Sequence, residues 1–277
     1  MRRAVLVISI LAACGPGGRN SPGGADDDGT DGGTSMGSGS GSGVGSGSDA
    51  GTVYVYAHTA TTLFRVDPDS LAITEIGDFG WPSGQSDQMT DIAIDKNGQM
   101  IGVSYNKVYR VDTGTAQTTL LSASLQGMFN GLSYVPATFV NQTGDDVLVG
   151  TRNTDGAVFQ IDPTTGTVTQ IGNMGSGFTS SGDLVAVAGF GVVQTVPGNG
   201  GDTIATLANG TFAATTIGNT GYDMIWGLAF WKNKLFGFTD GGAFVTIDPT
   251  TGAATLVSIN LQEWWGAAVT TTAPVIQ

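Results

Sequence analysis

Three tryptophans and a scattered set of carboxylates are the side chains here with the means to do chemistry. Trp226 follows Asp223 by three residues, and Trp264 and Trp265 follow directly on Glu263. Asp87, Asp91 and Asp183 lie just ahead of, or open, other short apolar runs. Two carboxyl groups can cleave a glycosidic bond when they stand about 5–5.5 Å apart (retention) or about 6.5–9.5 Å apart (inversion). Oxygen ligands alone can also hold calcium. Indole rings beside carboxylates can instead make a binding face, with contact area from the rings and specificity from the acids.

Other chemistries lack their parts. His58 is the only histidine and no G-x-S-x-G elbow accompanies it, so a serine triad has no frame. There is no H-x-x-x-H zinc pair and no G-x-x-x-x-G-K-[ST] phosphate loop. Cys14 is the single cysteine, which excludes disulfides and cysteine metal clusters. With 23 acidic against 10 basic residues the formal charge is −13, and the basic residues are scattered. Neither nucleic acid nor an anionic membrane surface is a natural partner for such a chain.

The elements that must position these residues come from a repeat. FQIDPTTGTVTQIG (Phe159–Gly172) returns as VTIDPTTGAATLVS (Val245–Ser258). Weaker copies are LFRVDPDSLAITEIG from Leu63, VYRVDTGTAQTTLLS from Val108 and TIATLANGTFAATTIG from Thr203. In the phrase, aspartate hydrogen-bonds the turn backbone, proline presets φ, and glycine takes the left-handed position. Flanked by alternating apolar residues, it marks a β-hairpin, and Asp162 and Asp248 are read as turn residues. Counted from Asp67, Asp112, Asp162, Ala208 and Asp248, the steps are 45, 50, 46 and 40 residues. Five hairpins at that period point to a propeller or solenoid.

Between the hairpins run TDIAID (Thr90–Asp95), NGLSYV (Asn130–Val135), GDLVAVAG (Gly182–Gly189) and WGLAFW (Trp226–Trp231). A fifth copy, WGAAVTTT (Trp265–Thr272), has no hairpin after it, while the hairpin at Leu63 is preceded only by VYVYA (Val53–Ala57). The two halves complete one another if the last strand joins the first three. The expected fold is all-β: five four-stranded blades, the ring closed by the C-terminal strand in the N-terminal blade, which removes exposed sheet edges. Second strands are expected at MIGVSY (Met100–Tyr105) and KLFGFT (Lys234–Thr239). Over residues 53–277 this pattern resembles the five-bladed β-propellers, and the hairpin phrase is similar to quinoprotein-like and YVTN-type repeats of exported bacterial proteins. Propellers host many activities, so the resemblance speaks for the fold. Five blades are fewer than quinoprotein enzymes use, and no quinone cofactor is expected.

Aligning the inner strands places Thr90, Asn130, Gly182, Trp226 and Trp265 at one position, at the mouth of the central channel. The next position holds Asp91, Gly131, Asp183, Gly227 and Gly266. Asp87, Asp223 and Glu263 lie just upstream. The candidate ligand-binding residues are therefore Asp87, Asp91, Asn130, Asp183, Asp223, Trp226, Glu263 and Trp265. Five-bladed propellers include sugar-cleaving families, and that resemblance makes Asp91, Asp183 and Glu263 the candidate acids of a hydrolase. A calcium ion among the same carboxylates is the third alternative, and a fourth leaves the acids solvated and the tryptophans wedged between blades. His58 is expected in a loop or at a blade edge. The longer loops SGQSDQM (Ser83–Met89) and VNQTGDD (Val140–Asp146) are further places for specificity.

The leader carries an address. MRRAVLVISILAAC has a basic start, an apolar stretch too short to span a bilayer, and small residues before Cys14. That ending resembles the lipobox of bacterial lipoproteins, which implies that Cys14 is lipidated and residues 1–14 form the signal peptide. Gly15 after it is similar to the pattern of lipoproteins sent to the outer membrane. Residues 15–52, with GSGSGSGVGSGS from Gly37 to Ser48, have nothing to bury and are expected to form a disordered linker. DDDGTDG (Asp26–Gly32) superficially resembles a calcium loop, but no glutamate follows at the required spacing. The expectation is an exported, lipid-anchored monomer that touches the membrane through its anchor alone and offers the channel mouth to a protein or glycan, with catalysis as the alternative.

Overall fold

The structure, a computed structural model, describes residues 54–276; the leader, Cys14 and the Gly/Ser linker lie outside the described residues. Twenty strands build five antiparallel sheets of four, the all-β propeller read from the repeat. The first blade holds β1 (Val55–His58), β2 (Thr62–Val66) and β3 (Ile73–Asp78). The second holds β4 (Asp91–Ile94), β5 (Met100–Val103), β6 (Val108–Val111) and β7 (Thr118–Ser122). The third holds β8 (Gly131–Val135), β9 (Val147–Thr151), β10 (Ala157–Ile161) and β11 (Val168–Asn173). The fourth holds β12 (Leu184–Val187), β13 (Gly191–Val196), β14 (Thr203–Leu207) and β15 (Ala214–Asn219). The fifth holds β16 (Ile225–Trp231), β17 (Lys234–Thr239), β18 (Ala243–Ile247) and β19 (Ala254–Ile259).

The last strand, β20 (Gly266–Ala268), becomes the inner strand of the first blade, pairing Gly266 with His58, Ala267 with Ala57 and Ala268 with Tyr56. It is shorter than the expected Trp265–Thr272 run; beyond it Thr270 makes an isolated parallel bridge to Ile94 in the second blade. Behind this closing strand, Trp264 is fully buried and meets Phe64 and Phe238 edge-on, with ring centroids 5.1 and 5.6 Å apart. It ties the first blade to the fifth.

The repeated turn works as its residue types require. Oδ1 of Asp162 accepts from the N–H groups of Thr164 and Thr165, and Oδ1 of Asp248 from those of Thr250 and Thr251. Hydrogen bonds led by those from Ser70, Thr164 and Thr250 hold the carboxyls of Asp67, Asp162 and Asp248 below the usual range. The fifth residue of each phrase is left-handed: Gly166 (φ 74°) and Gly252 (φ 75°) adopt this freely, whereas Leu71, Ala116 and Phe212 are held there at 63°, 57° and 61°.

A feature the sequence does not announce recurs in all five blades. The pairing of third and outer strands slips between Leu63 and Phe64, Val108 and Tyr109, Val158 and Phe159, Ile204 and Ala205, and Phe244 and Val245. The extra outer-strand residue is Ile76, Leu121, Ile171, Ile217 or Val257, and each turns back onto a hydrophobic core. A bulge bends and twists its strand, and one per blade turns that extra apolar residue inward, out of step with strict alternation.

Candidate functional site

The inner strands all begin on one face of the ring, where the aligned position at or near each strand start holds Asp91, Gly131, Asp183, Gly227 and Gly266. There the sequence supplies Asp91 and Asp183 among three glycines. Side chains at the glycine positions would overlap their neighbours: a methyl on Gly266 would strike His58 Nε2 and Asp91 Oδ1, and one on Gly131 would strike Thr151 Oγ1. The glycines make the space that the two acids fill.

Asp183 is wholly buried and serves three strands. Its Oδ1 accepts from the N–H groups of Leu184 (2.6 Å) and Leu132 (3.3 Å), and its Oδ2 from that of Leu228 (2.8 Å). Asp91, equally buried, accepts from the N–H of Ile92 through Oδ1 at 2.8 Å. Between them the two carboxyls receive donors from β4, β8, β12 and β16. Burial pushes both above the usual carboxylate range, and the charge of Asp183 pushes Asp91 further; the three N–H donors pull Asp183 back down. Asp91 Oδ2 is buried without a hydrogen-bond partner, so its raised pKa reflects a carboxyl taken out of water with incomplete compensation.

His58 corrects the reading of a loop or blade-edge residue. It ends β1, is fully buried, and gives its Nδ1–H to the Thr59 carbonyl at 2.8 Å. Its Nε2 faces Asp91 Oδ1 at 3.9 Å, beyond hydrogen-bonding range. Burial lowers its pKa to about 4, so the contact is between a neutral imidazole and a carboxyl rather than an ion pair. The physical reason is closure: Gly266 of the last strand pairs opposite His58 and seals it from solvent. Around the third and fourth blades a buried polar net completes the plug. Gln194 takes a hydrogen bond from Thr151 and donates to Ser180 Oγ and to the Asp183 carbonyl.

The two ionisations oppose each other, which gives a testable pH signature. The depressed His58 pKa means that the unfolded chain protonates first, so about 3 kcal/mol of stability is lost as pH falls from 6.5 to about 4. The raised Asp91 pKa works the other way: the folded chain keeps a proton that the unfolded chain releases, so stability falls as pH rises above the ordinary carboxylate value. Asp91→Asn removes the buried charge while its amide carbonyl can still accept from the Ile92 N–H. Denaturant titration across pH should find this variant at least as stable as wild type at neutrality, and steeper in its loss below pH 6.5. A variant less stable than wild type at pH 8 would show that the Asp91 carboxyl does not weaken the fold there.

Above this sealed floor lies a cleft of about 310 Å³ lined by Thr90, Tyr105, Met128, Phe129, Asn130, Asn153, Ser181, Trp226 and Trp265. Trp226 and Trp265 stand edge-to-face, with centroids 6.3 Å apart and planes at 89°. The side-chain amide oxygen of Asn130, Oδ1, is buried without a partner. None of the lining side chains is an acid, a lysine or an arginine. Thus Asn130, Trp226 and Trp265 come together as the alignment of strand starts implied, with Thr90 beside them. Asp91 and Asp183 lie beneath, closed off from the cleft.

The upstream acids part company. Asp87 takes hydrogen bonds from Tyr109 (2.7 Å) and Lys107 (3.1 Å). Although burial works to raise its pKa, these bonds and one from the Gln88 N–H hold it below the usual range. Asp223 and Glu263 are exposed in the loops that lead to Trp226 and Trp265. Trp264 belongs to the core and only Trp265 lines the mouth. For calcium the donor set does not fit: backbone N–H groups point at both buried acids, and among the described residues no three acid, histidine or cysteine side chains converge.

Sequence reasoning missed Tyr105, Met128, Phe129, Asn153 and Ser181, which sit in connecting loops of unequal length. It also passed over Asp202, whose pKa burial raises and whose Oδ2 accepts the Ile225 N–H at 2.8 Å, fixing the start of β16 next to Trp226.

No family model matches this chain, and no curated protein matches it. Among solved structures, a chain of a nidogen/laminin complex is similar with a TM-score of 0.54 at 7% identity, covering 80% of this chain and 100% of that one. TolB from Acinetobacter baumannii aligns at 14% identity over 78% of this chain and 53% of its own, with a TM-score of 0.45. The WD40 repeats of RRP9 align at 11% identity over 73% of this chain and 58% of theirs, with a TM-score of 0.42. At 7% identity, the likeness to the nidogen/laminin chain is one of fold alone.

Proposed function

We propose that this is an exported, lipid-anchored envelope protein whose propeller binds a protein or glycan at its channel mouth without transforming it. One observation carries the binding reading: an uncharged cleft walled by two perpendicular tryptophans opens above a floor that is sealed. Aromatic walls with a few convergent polar groups are the usual make-up of a ligand pocket. The hydrolase alternative gains no support from the geometry, because Asp91 and Asp183 are wholly buried and take no part in lining the cleft, so a glycosidic bond there cannot reach them. The anchor reading rests on the leader and Cys14, with residues 15–52 as a spacer that would set the ring a root-mean-square distance of roughly 35 Å from the membrane. Gly15 supports the outer membrane as the destination.

The test uses the full-length protein in detergent against panels of peptides and neutral glycans, read as melting temperature. A ligand that binds only the folded ring raises the midpoint, by about 2.7 kcal/mol of stability at a hundredfold excess over Kd. Trp226→Ala and Trp265→Ala should each abolish the shift. A shift that survives both places the site elsewhere, and cleavage of any glycan in the panel would revive the hydrolase. For the anchor, Cys14→Ser should move the protein from the membrane to the soluble fraction; unchanged fractionation would remove that part of the proposal.

A further inference from the structure

We infer that the mouth takes a protein segment presenting a bulky apolar side chain flanked by lysine or arginine, an inference that rests on the binding reading above. The cleft wall is uncharged, but the surface around it is not balanced. The two cations in loops of this face are both paired, Lys107 with Asp87 at 3.1 Å and Arg152 with Asp155 at 2.7 Å. Asp223, Asp240 and Glu263 form no ion pair among the described residues. All three sit in the loops that enter, cap and leave the fifth blade, beside Trp226 and Trp265.

Apolar exposure gathers on the same face. Tyr105 and Met128 line the cleft at 47% and 64% exposed. Met224 follows Asp223, and the fully exposed Leu261 comes two residues before Glu263. Single exposed apolar residues need no explanation, but a cluster rimmed by charge marks an interaction surface. A neutral sugar would use the indoles and the unpartnered Asn130 oxygen, yet leave the methionines, Leu261 and three acids unmatched. An acidic partner would be repelled. A segment with one large apolar side chain between cations matches both features, with methionine adapting to its shape and the rim acids selecting and steering it.

Random peptides displayed on phage are selected on the immobilised full-length protein and counter-selected on Trp226→Ala, with a neutral oligosaccharide array probed in parallel. The expected peptides carry Trp, Phe, Leu or Met with Lys or Arg close by. Synthetic copies should lose affinity about tenfold on the Asp223→Asn/Glu263→Gln double variant and weaken as salt rises. Asp223 and Glu263 make no side-chain hydrogen bond to a described residue, so the double variant should melt with wild type. Recovered peptides that are acidic or uncharged, or that bind the double variant equally well, overturn the inference and leave the mouth as a site. So does an oligosaccharide whose binding is lost in Trp226→Ala. If no peptide or sugar binds in a Trp226-dependent way, the inference and the binding reading fall together.

Discussion

Asp183→Ala should lower the unfolding free energy by about 3–5 kcal/mol, the cost of leaving three buried backbone donors without their acceptor. The melting temperature should fall by roughly 10 °C or more for a ring of this size. The N–H groups of Leu132, Leu184 and Leu228 lose their acceptor in a place water cannot reach, and each orphaned donor costs about 1–3 kcal/mol in isolation. These donors belong to three successive blades, so the damage is to the registration of the ring about its axis. Asp183→Asn should rescue little, because its amide would set a donor against the Leu228 or Leu132 N–H. The asymmetry with Asp91→Asn is the sharp part of the expectation. Two buried acids, each replaced by asparagine, should move stability in different directions, because Asp183 satisfies three backbone donors and Asp91 one; equal effects would overturn that expectation.

Trp264→Ala should cost a similar 3–5 kcal/mol, the usual range for emptying a buried aromatic site. The loss combines buried area with two edge-on ring contacts, to Phe64 of the first blade and Phe238 of the fifth. Hydrogen exchange distinguishes this from a general weakening. The amides of β1 and β20 should lose protection before those of β8–β11, across the ring. Uniform loss of protection would mean that the seam is no weaker than any other blade boundary. Trp264→Phe should recover part of the stability, since a ring remains between the two phenylalanines.

The blade count, the strand pairs and the closure were legible because one hairpin phrase is written five times, with turn residues whose roles follow from φ and from local hydrogen bonding. The outer strands were less legible. Their side chains do not alternate, and the reason is the bulge: Ile76, Ile171 and Ile217 are extra residues that break the period of two. The mouth was half legible. Aligning strand starts placed Asn130, Trp226 and Trp265 together, but depth depends on single-residue register, and one step along the strand separates open Thr90 from buried Asp91. Pairing that spans the whole chain was harder still. His58 is buried by Gly266, and nothing near either residue says so. Tyr105, Met128 and Asn153 come from loops, where no periodicity carries information.

The shortness and lateness of β20 bear on how the ring comes into being. These three residues are synthesised after the other nineteen strands, so on a growing or translocating chain the first blade waits, three-stranded, with the edge of β1 bare. The contacts that complete it span more than two hundred residues, and such distant pairing is slow to form. During that interval β1 can accept Gly266–Ala268 from its own chain or from another molecule at the same stage. Crowded chains would then exchange their closing strands and emerge as paired rings, whereas dilute ones would close on themselves.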